Sequence, residues 1–225
     1  MKTIAVIPLR TGSQGLPDKH TKSMQGKPLF LWTVDQAKSS ECFDQIVIAT
    51  NDAAVWGMAD HTAQIELGTI SSRHMFTDGP KAATEAVLLE VILDENADRV
   101  CLLQATSPLR RPEDIRKAVR LLDSNKAVVS FVQDHHIWDD EPRQMRQEMT
   151  KFRENGAIYA FNTDAFLETL DRRCGGAAPL IMPSWTGYEI DDDDDWDIVN
   201  LMMEKHILGR NKSADALWER HVVPG

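Results

Sequence analysis

The sequence predicts an α/β fold, a mostly parallel sheet covered by helices. Two observations carry that prediction. Short apolar runs rich in β-branched residues alternate along the chain with amphipathic segments of helical period. The first run also breaks directly into a glycine-rich basic loop, and open parallel sheets bind ligands beyond the carboxyl ends of their strands.

The elements follow in order. Residues 3–8 form the first strand, and Pro28 pre-sets the backbone for a helix over residues 29–39. Residues 45–50 form the second strand, and Asn51 or Asp52 caps a helix over residues 53–61. A helix over 84–96 precedes a strand over 99–104, and Pro112 starts a helix that runs to residue 124. Strands over 127–132 and 156–161 complete the sheet, with a helix over 164–170 after them. Residues 133–154 break this rhythm: they are rich in His, Asp, Glu, Arg and Gln with little apolar periodicity, as in an excursion from the sheet or an exposed polar loop. Asp193 to Asp195 stand ahead of Ile198, Leu201 and Met202, where carboxylates complement a helix macrodipole.

Composition narrows the function classes. A chain of 225 residues, 42% hydrophobic and 27% charged, fits one globular domain over residues 1–225. A net charge of -10 and a pI near 5.1 argue against a nucleic-acid polymer or an anionic membrane as partner. Any phosphate site must therefore build its positive field locally. Cys42, Cys101 and Cys174 are far apart and lack a Cys-x-x-Cys pair, which excludes a disulfide framework and a zinc site and suits a reducing cytoplasm. No signal pattern opens the chain, and no apolar run approaches the ~20 residues that span a bilayer.

Four blocks carry chemistry. In Arg10-Thr11-Gly12-Ser13-Gln14-Gly15-Leu16-Pro17-Asp18-Lys19-His20, the glycines let backbone N–H groups approach an anion, and Arg10 and Lys19 add charge. The spacing is neither a Walker A loop nor a dinucleotide glycine triplet, and a surface turn shares the composition. In Gln104-Ala105-Thr106-Ser107-Pro108-Leu109-Arg110, Gln104 can both donate to and accept from a polyhydroxylated ligand at a strand end. Thr106 and Ser107 alone read as turn or helix-entry residues, and Arg110 as a fold-stabilising charge. In Arg153-Glu154-Asn155-Gly156-Ala157-Ile158-Tyr159, the guanidinium fork of Arg153 matches a carboxylate, whereas Asn155-Gly156 is by itself a turn signal. In Glu189-Ile190-Asp191, alternation on an extended chain turns two carboxylates to one side, as Mg²⁺ requires. His135-His136 with Asp139 and Asp140 lacks a zinc-ligand spacing and reads as a solvated or interface group.

The first block, continued by Lys22-Ser23-Met24-Gln25-Gly26-Lys27-Pro28-Leu29, resembles the signature of sugar-nucleotide cytidylyltransferases, in particular the acylneuraminate (CMP-sialic acid synthetase) family. The other three blocks follow in that family's order, so the resemblance covers nearly the whole chain. It implies a three-layer, nucleotide-diphospho-sugar-transferase-like (Rossmann-like) sheet. It further implies transfer of CMP from CTP to a 3-deoxy-2-keto sugar acid, with Arg10 and Lys19 catalytic. Leu9, Arg10, Gly12, Ser13, Gly15, Lys19, Arg73 and Thr84 would bind the nucleotide. Gln104, Thr106, Ser107 and Arg153 would bind the acid sugar, and Asp191 with Glu189 would hold Mg²⁺. Residues 133–155 would be a dimerisation arm of a homodimer.

The departures are specific. Leu9, Gln14, His20, Ala105 and Glu189 stand where the family usually has Ala, Lys, Asn, Pro and Asp, and Lys81 is a candidate replacement for the charge lost at Gln14. Two other readings stay open: a relative that activates a small phosphonate, and a catalytically silent nucleotide-binding regulator.

Overall fold

The computed structural model describes residues 1–10, 15–52, 54, 55, 58, 70–73, 84–133 and 151–209, with backbone alone for 70–73. β1 (Thr3–Leu9) is an interior strand of the main sheet, and β2 (Ser23–Met24) and β3 (Lys27–Pro28) form a separate short ladder. β4 (Gln45–Thr50) pairs in parallel with β1, and β5 (Ile70–Arg73) extends the sheet in parallel beyond it. On the other side of β1 comes parallel β6 (Arg99–Leu103). Beyond it, β8 (Phe152–Asn162) runs antiparallel between β6 and β7 (Ala127–Gln133), and β9 (Ala178–Met182) closes the edge parallel to β7. The sheet order is β5-β4-β1-β6-β8-β7-β9, and β8 alone among these seven strands runs against the rest.

Alternating side chains of β1 feed two cores, the consequence of a strand buried on both faces. Ala5, Ile7 and Leu9 pack with Phe30 and Val34 of α1 (Leu29–Ser40) and with Ile115 of α3 (Pro112–Leu121). Ile4 and Val6 pack with Leu88 and Val91 of α2 (Thr84–Glu95) and with Phe166 of α4 (Thr163–Thr169). The result is the three-layer architecture expected. A third cluster joins Leu16, Met24, Leu29, Leu109 and Ile190 to Trp196 and Val199 of α5 (Asp193–Met202). Each of these first five residues belongs to or adjoins a chemistry-bearing block, so a small core of its own holds three of the four blocks together.

The expected strands form within a residue or two, except that the last begins earlier. Gln133 and residues 152–155, assigned from sequence to the arm, belong to β7 and β8: Gln133 pairs with Phe152, Val132 with Arg153 and Phe131 with Glu154. Asn155-Gly156 is likewise no turn but an irregularity inside β8. The polar sequence concealed a strand whose early residues lie on an exposed sheet end. β5 and β9 were not anticipated, being short edge strands of four and five residues. Of the helix expected over 53–61, Ala54, Val55 and Met58 are helical. The remainder, and His135, His136, Asp139 and Asp140, lie outside the described residues, as do residues 134–150 of the arm.

The reversal of β8 has a functional consequence. Its beginning, with Arg153 and Asn155, stands at the same edge of the sheet as the carboxyl ends of β1, β4, β6 and β7.

Candidate active site

Four segments converge at that edge. Arg10 follows β1 and is exposed, whereas the side chain of Leu9 is wholly buried in the core, leaving only its backbone to face a ligand. Gly12 and Ser13 lie outside the described residues. A Cβ on Gly15 would stand 2.1 Å from the carbonyl oxygen of Asp191, so glycine is required here by the close approach of the acidic segment. Lys19 is 8% exposed, and its Nζ donates to the Ile190 carbonyl at 2.8 Å and lies 3.4 Å from Asp191 Oδ1. The basic loop and the acidic motif, 171 residues apart, are thereby joined.

The acidic motif is also tied to the loop after β6. Ile190 N donates to the Thr106 carbonyl at 2.9 Å, and Thr106 Oγ1 donates to Glu189 Oε1 at 2.9 Å. Ile190 is wholly buried, with the two carboxylates flanking it on the chain. Gly156 sits at φ +67°, and a Cβ there would come within 2.9 Å of Glu189 Oε2. Burial pushes the Glu189 carboxyl above its ordinary range; the Thr106 hydrogen bond opposes this, and the nearby charge of Asp191 adds to it.

Gln104 is half-buried just past β6, and Ser107 is buried with its hydroxyl directed to the Asn155 carbonyl at 3.4 Å. Arg110 is wholly buried and donates to the carbonyls of Gln104 and Ser107 and to Thr33 Oγ1, with burial lowering its pKa to about 9. It stabilises the loop, as its sequence reading held. Arg153 Nη2 donates to the Gly187 carbonyl at 2.6 Å, and a Cβ on Gly187 would lie 2.9 Å from that same nitrogen. The guanidinium acts on the Glu189 carboxylate from there. Thr84 opens α2, and Arg73 ends β5 opposite Ala49, near the carboxyl end of β4.

A family model described as cytidylyltransferase matches residues 4–172, three quarters of the chain and three of the four blocks. The chain belongs to the cytidylyltransferase family. It is 30% identical over 233 residues to the CMP-N,N'-diacetyllegionaminic acid synthase of Legionella pneumophila, covering 91% of this chain and 97% of that one. It is 26% identical to the N-acylneuraminate cytidylyltransferase of Escherichia coli O18:K1:H7, covering 91% of this chain but 52% of that one. This cytidylyltransferase therefore spans about half the length of the latter relative. Its fold is similar to that of a CMP:2-keto-3-deoxy-manno-octonic acid synthetase solved with CTP, at TM-score 0.70 and 19% identity over 91% of this chain and 99% of that one. The protein is an enzyme of the nucleotidyltransferase class, whose family uses CTP as nucleotide donor. No described helix is long and apolar enough to cross a membrane.

Sequence reasoning passed over Ser130, Thr186 and Gly187, and it gave Asn155 no role beyond its place in a motif. They support the site from beneath, and a lone Ser or Thr in an apolar stretch is the only trace such residues leave in a sequence. His20 matters in another way. Its Nδ1 is buried and has no hydrogen-bond partner among the described residues. Burial, with the charges of Lys19 and Arg10, lowers the cytidylyltransferase's His20 from 6.5 to about 4, against the pull of Asp52. The unfolded chain thus takes up this proton before the folded one does. The stability His20 contributes is full above 6.5 and is lost as pH falls toward 4, by up to about 3 kcal/mol. His20→Asn should flatten the fall in unfolding free energy between about pH 7 and about pH 4.5. Parallel denaturant-derived curves for the two proteins would reject this.

Among the described residues no group of three or more metal-ligating side chains occurs. Glu189 and Asp191 are hard oxygen donors, the type that Mg²⁺ takes when water and phosphate complete its shell. The raised Glu189 carboxyl beside Asp191 is a pair whose repulsion a cation would relieve.

Proposed function

We propose that this enzyme couples CTP to a 3-deoxy-2-keto sugar acid of the nonulosonate class, giving a CMP-sugar and pyrophosphate. The observation that carries this reading is the convergence at one sheet edge of Lys19, Glu189, Asp191 and Arg153. The names of the relatives support the acceptor class. Arg10 and Lys19 hold the triphosphate, Gly15 lets the loop lie against the acidic segment, and Arg73 at the end of β5 and Thr84 at the start of α2 belong to the nucleoside side of the site. Gln104, with Thr106 and Ser107 of the same loop, meets the acceptor's hydroxyls and Arg153 its carboxylate. The anomeric oxygen bonds to the α-phosphorus as the bond to pyrophosphate breaks, and the hydroxyl proton passes to solvent. Asp191 and Glu189 would hold Mg²⁺, which supplies charge neutralisation at the phosphates. Residues of the chain contribute positioning and fixed charge.

The homodimer belongs to the same proposal. The proposed arm is the stretch of sequence between the end of β7 and the start of β8, and Phe152 and Ile181, 49% and 52% exposed, offer apolar surface at that end of the sheet. Light scattering should give twice the chain mass.

The test is pyrophosphate release with CTP and a panel of acceptors: N-acetylneuraminate, its deaminated and diamino relatives, an octulosonate, and 2-aminoethylphosphonate. Turnover is expected with a nonulosonate, and turnover confined to the phosphonate would overturn the acceptor assignment. Arg153→Ala should raise the acceptor KM about 10-fold or more and the CTP KM little, since it removes a charge-assisted pair with the carboxylate. Equal rises in both would take Arg153 away from the acceptor.

A further inference from the structure

The pairing of β8 with β7 is interrupted where it passes the site. Val129 faces Tyr159 and Phe131 faces Glu154, so residues 155–158 of β8 stand opposite Ser130 alone. So large a bulge strands backbone groups that the ladder would otherwise pair, and two buried side chains take them up. Ser130 Oγ accepts from Ile158 N at 2.9 Å and donates to Asn155 Oδ1 at 2.6 Å. Asn155 Oδ1 also accepts from Ala157 N at 3.3 Å.

The amide end of Asn155 reaches the other way. Nδ2 donates to Thr186 Oγ1 at 3.2 Å and to the Thr186 carbonyl at 3.3 Å, with Met182 Sδ at 3.5 Å. Asn155 is 1% exposed, so it offers nothing to a substrate. Its two ends nevertheless bear on the Glu189 position from two directions, one through space and one along the chain. On one side the next residue, Gly156, is held at φ +67° against the Glu189 carboxylate. On the other, Thr186 closes the short 3₁₀ turn Ser184–Gly187, from which the chain runs directly into Glu189. Only an amide serves here, because one end must accept and the other donate.

We propose that Asn155 is a positioning residue for the Glu189 carboxylate, setting where that oxygen pair stands relative to Asp191. The inference rests on the reading of Glu189 as a Mg²⁺-holding residue. An aspartate at 155 keeps the shape and the acceptor for Ser130 but turns an oxygen toward the Thr186 carbonyl. The turn and the bulge then move apart and Glu189 loses its place.

The test is a double-mutant cycle of Asn155→Asp and Glu189→Gln, read by electron paramagnetic resonance of Mn²⁺ binding in the presence of CTP without acceptor. Turnover and thermal unfolding are measured alongside. Asn155→Asp should weaken Mn²⁺ binding about 10-fold, the scale for residues that orient a metal's ligands, and should cost nothing further in the Glu189→Gln background. The same proportional loss in both backgrounds, or unchanged Mn²⁺ binding, would overturn the proposal. If Asn155→Asp does not fold, Ser130→Ala, which removes the partner of Oδ1, completes the same cycle. If Glu189→Gln leaves Mn²⁺ binding intact, the metal reading of Glu189 fails. The cycle on CTP turnover then decides separately whether Asn155 acts through Glu189.

Discussion

Lys19→Ala should lower kcat/KM for CTP by about 10²-fold or more, the scale of losing one preorganised charge from a transition state. Its ammonium is nearly buried and already shares the Ile190 carbonyl and the Asp191 carboxylate, so it stands fixed beside the acidic motif, where the proposed function puts the triphosphate. Deletion also leaves the Ile190 carbonyl without this donor, a cost of about 1–3 kcal/mol that would show in unfolding. The two effects are separable. Lys19→Arg retains a donor and a charge, so it should recover stability and part of the activity. Near-wild-type turnover in Lys19→Ala, measured by pyrophosphate release, would remove Lys19 from the mechanism.

Asp191→Asn should lower activity by roughly 10²-fold at low Mg²⁺, with partial recovery as Mg²⁺ is raised, because the variant keeps shape but gives up a hard anionic ligand. The fold should survive, since the Asp191 side chain is 79% exposed. Its acidic neighbours do other work, which makes them controls. Asp192 Oδ1 caps α5 by accepting from Asp195 N at 2.9 Å, and Asp195 Oδ2 accepts in return from Asp192 N at 3.3 Å and also from Asp191 N at 2.9 Å. Asp192→Ala should therefore cost about 1 kcal/mol of stability without altering the Mg²⁺ requirement. Asp194, exposed in the first turn, should tolerate Asn with little effect on either. If Asp194→Asn reproduced the loss and Asp191→Asn did not, the metal-holding position would lie three residues further along the chain.

The alternation of strands and helices and the location of the blocks are legible in the chain before it folds. Both are local: β1 announces itself by the apolar run from Ile4 to Leu9, α1 by Pro28, and α5 by the acidic turn before Trp196. The ingredients of the site were equally legible, because a basic glycine loop and a pair of carboxylates flanking Ile190 are unusual combinations. Contacts between residues far apart in the chain come only with folding. Gly15 looked like a glycine for an anion, yet its missing side chain makes room for the Asp191 carbonyl. Arg153 reached the site because β8 runs against its neighbours, and strand direction leaves no mark on a strand's own composition. Asn155-Gly156 carried the signature of a turn, but the buried partners Ser130 and Thr186 hold it as a bulge inside a strand. A residue's local preference fixes its own dihedrals. Which distant carbonyl, carboxylate or hydroxyl fills the space beside it is set by the packing of the whole sheet edge.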